Sequence, residues 1–228
     1  MNRNIKTLIF DADDTLWDCQ SHFDAVEKIM HQKVSRWCSP EEAHKALIAT
    51  ETRNIALTGF GCKAFTLSLL ETAISCSNGE IAANDIEELI RHGYSLLHMP
   101  ATPLPGVRET LEKLSIFQLV VFTKGDIQDQ ARKLERSGLR HFFSHVEITA
   151  DKSEEDYRRL CQKLNILPQE AVMVGNSFKS DIAPALAIGM KAIYIPFHVA
   201  WQLEHAEEYH HEDLIKLTEF SELMSIIL

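Results

Sequence analysis

The sequence predicts an α/β protein in which a doubly wound parallel sheet is interrupted by an inserted block of helices. Three observations support this fold class. Five short apolar runs have the nearly continuous hydrophobic character of strands that are buried on both faces. Helical patterns separate the last four runs, as expected for strand–helix–strand units. The long stretch between the first run and the second is helical, so it predicts an insertion into the α/β domain.

The strands are predicted at Ile5–Phe10, Leu119–Thr123, His145–Thr149, Ala171–Gly175 and Ala192–Pro196. Between and beyond them, helices are predicted after Pro105-Gly106, from Asp126 to Gly138, over Glu154–Leu164 and over Ile182–Ile188. Asp126 is interpreted as an N-cap, because an Asp before a helical pattern accepts from free backbone amides. The alternation favours a doubly wound sheet, whose ligands bind beyond the carboxyl ends of the strands.

The insertion contains several helices. Apolar residues at spacings of three and four predict the first one: Phe23, Val26, Met30, Val34 and Trp37. Ser39 has the sequence of an N-cap with Pro and Glu behind it, and Asn84 is interpreted in the same way. Thr58–Gly61 is predicted to be a turn between helices, or alternatively a loop that contacts substrate. We therefore predict a core of residues 1–17 and 101–228, with a helical domain over residues 18–100.

Composition limits the possible functions. The chain of 228 residues has 33 acidic and 23 basic side chains, a net charge of −10, which argues against nucleic acid or an anionic membrane as partner. Residues 204–222 contain seven acidic side chains and one basic side chain. The histidines of this segment (His205, His210 and His211) are predicted on a solvated helix face. Five cysteines, without CxxC spacing, predict reduced thiols and a cytoplasmic location. The sequence leaves the oligomeric state open.

Polar residues with complementary chemistry follow the predicted strands: Asp11, Asp13, Thr123, Lys124, Lys152, Asn176 and Asp181. This set supports phosphoryl transfer, because one aspartate of the first pair can attack phosphorus while the other moves a proton. Lys152 and a hard divalent cation can offset the charge of the phosphate. Thr123 and the amides around Lys124 can bind its oxygens. The expected ligand is a small phosphomonoester.

In chain order, Asp11-x-Asp13-x-Thr15, Thr123, Lys152 and Gly175-Asn176-x₄-Asp181 resemble the four motifs of the haloacid dehalogenase (HAD) superfamily. The resemblance implies a Rossmannoid core with a C1-type helical cap. It implies that Asp11 is the nucleophile of a Mg²⁺-dependent phosphatase and that Asp13 is the general acid and base. Mg²⁺ is expected at Asp11, Asp181, Asn176 and the backbone carbonyl of Asp13. Dehalogenases of the superfamily lack the second Asp, so Asp13 indicates the phosphatase branch.

One position departs from the motifs. Many relatives have an acidic residue where this chain has Asn176, so we expect metal binding to survive but to be weaker. Two other functions stay open from the sequence. One is a phosphomutase of the β-phosphoglucomutase type, and the other is a non-catalytic protein that binds a phosphorylated ligand.

Overall fold

The computed structural model describes residues 4–228 and contains one parallel sheet, which confirms the predicted α/β fold class. The strand order is β3-β2-β1-β4-β5-β6. The strands are β1 Thr7–Phe10, β2 Gln118–Lys124, β3 His145–Thr149, β4 Ala171–Gly175, β5 Lys191–Tyr194 and β6 Leu214–Lys216. The helices are α1 Gln20–Val34, α2 Pro40–Thr58, α3 Cys62–Cys76, α4 Ala83–Leu96, α5 Val107–Lys113, α6 Ile127–Arg136, α7 Glu154–Leu164, α8 Ala183–Ala187 and α9 Leu223–Ile227.

The first strand lies in the middle of the sheet. It pairs in parallel with β2 on one side and with β4 on the other. The chain therefore builds outward from β1 to β3, returns to the other side of β1, and continues to β6. Such a reversal of strand order opens a crevice at the carboxyl ends of the strands. Asp11 is the first residue after β1 and lies at this reversal.

Helices cover both faces of the sheet. On one face, Phe10 and Val121 pack in a buried cluster with residues of α5, α6 and α9. On the other face, Ile9 and Val120 pack with residues of α7 and α8. Adjacent strand residues point to opposite faces, so fully buried strands need apolar residues at every position.

Two compact units make up the described chain. One comprises residues 4–18 together with Pro100–Leu228, and the other comprises Cys19–Met99. The second unit contains α1–α4 around its own core of buried side chains, including Met30, Leu47 and Leu69. Ser39 caps α2 through a reciprocal hydrogen-bonded box with Glu42, as predicted. Thr58–Gly61 forms the end of α2 and the turn to α3, where Gly59 and Gly61 have φ of 68° and 107°.

Some local predictions were wrong. The chain forms β6, which was not predicted because its three residues lie in a polar, acidic segment. Helix α4 is preceded by Ala82 as N-cap without a side-chain bond, so Asn84 lies inside the helix. The predicted helix over Ile182–Ile188 begins earlier, as a π-helical turn at Phe178–Ile182 that leads into α8. The helix predicted in the acidic segment is absent. A short 3-10 turn forms at Gln202–Glu204, and residues 205–211 after it are not helical.

Within residues 4–228, no helix has both the length and the apolar character needed to cross a membrane.

Candidate active site

Asp11 is held at the end of β1 by both its backbone and its side chain. Its amide donates to the carbonyl of Val174 at 2.9 Å, which extends the pairing between β1 and β4. Its carboxylate is almost buried, with 7% of the residue exposed. Oδ1 accepts from Lys152 Nζ at 2.5 Å, and Oδ2 lies 3.1 Å from the hydroxyl of Thr15. The nucleophile predicted from the sequence therefore has a defined orientation.

Lys152 joins Asp11 to Asp181. Its ammonium donates to Asp11 Oδ1 at 2.5 Å and to Asp181 Oδ1 at 2.7 Å, and all three side chains are buried. Burial alone would lower the pKa of Lys152, but the two carboxylates raise it above its usual value. Burial raises the pKa of Asp11 to about 7, with Asp181 acting in the same direction and Lys152 opposing it. The cluster has two carboxylates for one ammonium.

The turn after β4 positions Asp181. The backbone amide of Ser177 donates to Asp181 Oδ2 at 2.9 Å, and the Tyr157 hydroxyl donates to the Asp181 carbonyl at 3.2 Å. Gly175 is required beside it, because a Cβ at this position would lie 2.3 Å from Asp181 Oδ2. The Gly175–Asp181 spacing of the fourth motif thus packs a buried carboxylate directly against a strand end.

Asp13 makes four hydrogen bonds with side chains that do not belong to the motifs. Lys133 Nζ donates to Oδ1 and Oδ2 at 2.7 and 2.6 Å. Gln130 Nε2 donates to Oδ2 at 2.7 Å, and Trp17 Nε1 donates to Oδ1 at 2.8 Å. Burial alone would raise the pKa of Asp13, but Lys133 and the other donors hold that pKa below its usual value. The predicted acid and base is therefore a well-anchored carboxylate.

Besides Lys152, the predicted phosphate-binding residues lie at the end of β2. Thr123 is buried, and Lys124 ends the strand. Lys124 Nζ donates to Ser180 Oγ at 2.9 Å and forms an ion pair with Glu204. Glu204 Oε2 also accepts from Ser177 Oγ at 2.5 Å. Lys124 thus already has a carboxylate partner, whereas the sequence predicted it only as a phosphate contact.

Asn176 follows β4 and faces the loop after β1. Its Oδ1 lies 3.1 Å from the hydroxyl of Thr15, which is also the neighbour of Asp11. The sequence-predicted residues Asp11, Lys152 and Asp181 are joined directly, and Asn176 connects to Asp11 through Thr15. Asp13 is held instead by Lys133 and Gln130 of α6.

The donor set fits a hard divalent cation. Within residues 4–228 there is no cluster of three or more His, Cys, Asp or Glu side chains arranged for a metal. The predicted set instead combines two carboxylates, an amide and a backbone carbonyl, and all of these are oxygen donors of the kind that Mg²⁺ prefers. Asp11 and Asp181 are brought together around one ammonium, so the buried cluster has an excess negative charge that a cation would offset.

Comparison with known proteins identifies the family. The sequence model of the haloacid dehalogenase-like hydrolases matches residues 5–189, which is most of the chain. The chain belongs to this family. It is 28% identical to a glyceraldehyde 3-phosphate phosphatase of Methanothermobacter thermautotrophicus, over 98% of this chain and 100% of the relative. It is 25% identical to a glyceraldehyde 3-phosphate phosphatase of Pyrococcus furiosus, over 99% and 94% of the two chains.

A solved structure of the family has the same fold. The HAD-like family hydrolase from Xanthomonas campestris superimposes with a TM-score of 0.89 at 31% identity, over 98% of this chain and 91% of that chain. The resemblance inferred from the four motifs is therefore confirmed.

The sequence of this HAD-like protein did not indicate which side chains hold the predicted site residues in place. Lys133 and Gln130 lie in α6, a helix of mostly charged and polar residues, where nothing marks one lysine as buried. Glu204 lies in the acidic segment that was interpreted as solvated. Trp17 is buried, as an apolar packing residue would be, but its indole also bonds Asp13. The one available signal was the i, i+3 spacing of Gln130 and Lys133 behind the second motif.

Proposed function

We propose that this chain is a Mg²⁺-dependent phosphatase that hydrolyses a small phosphomonoester through an aspartyl-phosphate on Asp11. The chain is a phosphoric monoester hydrolase of the HAD-like family, and the proposal concerns its metal, its intermediate and its substrate. The observation that supports it most is the ammonium of Lys152 between Asp11 and Asp181, at 2.5 and 2.7 Å. That arrangement keeps an attacking carboxylate beside a fixed positive charge.

In the first half-reaction, a carboxylate oxygen of Asp11 forms a bond to phosphorus as the bond to the leaving oxygen breaks. Asp13, which the donors of the free protein keep ionised, takes up a proton when the substrate binds and gives it to that leaving oxygen. Lys152 lies beside Asp11 and offsets negative charge on the transferred group. Thr123 and backbone amides at the end of β2 bind the phosphoryl oxygens.

In the second half-reaction, water attacks phosphorus and the bond to Asp11 breaks. Asp13 accepts a proton from the water, so both aspartates return to their starting states. The metal would be held by Asp11, Asp181, Asn176 and the backbone carbonyl of Asp13. When bound, it supplies positive charge next to the phosphate.

The relatives suggest a substrate class. Both archaeal relatives that align with nearly the whole chain are named for glyceraldehyde 3-phosphate. We therefore propose a short phosphorylated aldehyde or polyol as substrate, with glyceraldehyde 3-phosphate as the first compound to test. Pockets that reject a substrate by size alone discriminate by only about 10–200-fold, so related phosphates belong in the same screen.

A cytoplasmic location is also part of the proposal. It is supported by the five cysteines, none of which forms a disulfide in the described chain. Disulfides are rare in reducing compartments.

The experiment measures release of inorganic phosphate from glyceraldehyde 3-phosphate and from p-nitrophenyl phosphate, with MgCl₂ and with EDTA. We expect turnover only with the metal. Asp11→Asn should lower kcat by at least about 10³-fold, because the nucleophile is lost while the shape is kept. Asp14→Asn is the matched control, since it removes a charge from the same loop and Asn tolerates the φ of 62° found there.

Two outcomes favour the alternative functions. Transfer of phosphate between positions of a sugar phosphate, without its release, indicates the phosphomutase. Saturable binding of a phosphomonoester without turnover, under any metal tested, indicates the non-catalytic binding protein. Full activity of a clean Asp11→Asn preparation contradicts the assignment of the nucleophile.

A further inference from the structure

One face of α6 holds both oxygens of the Asp13 carboxylate. Lys133 Nζ lies 2.7 Å from Oδ1 and 2.6 Å from Oδ2, and Gln130 Nε2 lies 2.7 Å from Oδ2. Residues three apart on a helix are neighbours on its surface, so a single helix presents both donors. The position of Asp13 is therefore set by an element that none of the four motifs includes.

Lys133 is buried, although lysine is among the residues least often found inside proteins. Only 2% of its side chain is exposed, compared with 26% for Asp13. A lysine in the interior requires a partner, because an uncompensated ammonium would be strongly unfavourable there. Packing around its stem fixes where the ammonium lies. Lys133 thus holds Asp13 from the protein interior, while part of the Asp13 side chain remains exposed.

The hydrogen bonds of Asp13 fill its acceptor capacity. An ionised carboxylate offers about four acceptor sites, and Lys133, Gln130 and Trp17 together make four bonds to it. To move a proton, Asp13 must exchange one of these bonds for the substrate or water. The bonds from Lys133, in which donor and acceptor both carry charge, are stronger than those from the neutral side chains of Gln130 and Trp17. Lys133 is therefore the contact that keeps Asp13 in place during the exchange.

Gln130 also connects Asp13 to the end of β2. Its Nε2 donates to the backbone carbonyl of Lys124 at 3.0 Å while it bonds Asp13. Thr123, the expected phosphate contact, is the residue before Lys124. The side-chain amide of Gln130 therefore links Asp13 by hydrogen bonds to the strand end that would bind the phosphoryl group.

We propose that Lys133 is a positioning residue of the phosphatase reaction, which acts by anchoring the Asp13 carboxylate against α6. The inference rests on the proposed role of Asp13 as general acid and base. Asp13 gives its proton to the leaving oxygen as the phosphorus–oxygen bond breaks, and it later takes a proton from the attacking water. Lys133 bonds both oxygens of the ionised carboxylate that is present between these two steps, and its role is to hold that carboxylate in place and not to transfer the proton.

The test compares two substrates that differ in their need for an acid. p-Nitrophenyl phosphate releases a stable phenolate and needs little protonation, whereas phenyl phosphate has a similar shape and a more basic leaving group. General acid–base catalysis contributes about 10²–10⁴-fold. We expect Lys133→Met to lower kcat/KM for phenyl phosphate at least about tenfold more than for p-nitrophenyl phosphate. Lys163→Met, at a lysine whose side chain is 57% exposed, is the control and should change neither.

Equal losses with the two substrates would mean that Lys133 is only structural, and no loss with either would equally overturn the inference. Asp13→Asn is measured in parallel. If Asp13→Asn itself shows no dependence on the leaving group, the proposed role of Asp13 fails. If it shows the dependence and Lys133→Met does not, only the inference about Lys133 fails.

A second measurement tests the inference even if Lys133→Met does not fold. In the double variant Asp13→Asn/Lys133→Met, both charges of the pair are absent, so no lone buried charge remains. If Lys133 acts through Asp13, the double variant should have the kcat/KM of Asp13→Asn within about threefold, since residues that act as a unit are non-additive. A further loss of about tenfold or more would show that Lys133 acts independently of Asp13, contrary to the inference.

Discussion

The hydroxyl of Thr15 lies 3.1 Å from the amide oxygen of Asn176, which links the loop after β1 to the loop after β4. The same hydroxyl lies 3.1 Å from Oδ2 of Asp11. A hydroxyl has one hydrogen to donate, so these two oxygens compete for it. Asn176 is thus part of the network around the proposed nucleophile, but it brings no charge to it.

Replacing Asn176 by Asp should strengthen metal binding. An added carboxylate supplies charge to a hard cation, so we expect the half-saturating Mg²⁺ concentration of Asn176→Asp to fall several-fold. The measurement is phosphatase activity titrated against MgCl₂. Asn84→Asp, at an exposed position in α4, is the control and should leave the titration unchanged. An unaltered half-saturating concentration in Asn176→Asp would count against a place for this residue at the metal.

Lys152→Met should destabilise the metal-free protein strongly. It leaves the carboxylates of Asp11 and Asp181 buried without their shared ammonium, and breaking a buried ion pair costs about 3–5 kcal/mol. The free energy of unfolding is measured by urea denaturation in EDTA. MgCl₂ should restore part of the lost stability, because a bound cation would replace the positive charge of the missing ammonium. Lys163→Met removes an exposed ion pair with Glu147 and should cost at most about 1 kcal/mol. Equal costs for the two variants would contradict the prediction.

Gly175→Ala should impair the site through Asp181. The new Cβ would lie 2.3 Å from Oδ2 and 2.5 Å from Cβ of Asp181, so that carboxylate must move. We expect lower kcat and a higher Mg²⁺ requirement, both measured by steady-state kinetics. Gly79→Ala is the control, because its φ of 80° gives backbone strain while no atom lies within 4 Å of the new Cβ. It should lower stability but keep the wild-type Mg²⁺ requirement. Wild-type kinetics in Gly175→Ala would show that Asp181 is free to shift.

Glu204 should make stability depend on pH in the acid range. Burial alone would raise its pKa, but Lys124 and the hydroxyls of Ser177 and Ser180 hold that pKa below the ordinary value of 4.5. A lowered pKa in the folded state means that the unfolded chain binds more protons. The stabilisation is therefore complete above pH 4.5 and is lost as the pH falls through the folded-state pKa.

We therefore expect Glu204→Gln to be less stable than the wild type at pH 7, by about 1–2 kcal/mol. The difference should shrink towards acid pH. Urea denaturation at a series of pH values from neutral to acid measures it. Glu212→Gln, at an exposed position in the same segment, is the matched control. A difference that is constant with pH would exclude the ion pair as its cause.

The sequence by itself determined the fold class and the location of the chemistry. Strands that are apolar at every position are buried on both faces, and this favours a parallel sheet covered by helices. Polar residues that directly follow such strands lie at the carboxyl edge of the sheet. Asp11, Lys152 and Asp181 were placed together on this argument, and the structure joins them by hydrogen bonds. Short capping patterns were less decisive. Ser39 caps α2 as predicted. Asn84 was predicted as a cap in the same way, but it lies inside α4, since a residue type that caps helices can also occur within one.

Only the tertiary structure decided which side chains support these residues. Lys133 is 120 residues from Asp13 in the chain, and it lies in a helix whose charged sequence is typical of a solvated surface. Glu204 reaches Lys124 across 80 residues from an acidic segment. Periodicity reports which face of an element is apolar, but the burial of a single charge depends on the partner that the fold brings to it. The strand ends of this HAD-like hydrolase were therefore predictable from sequence, whereas the side chains that anchor its proposed acid and base were not.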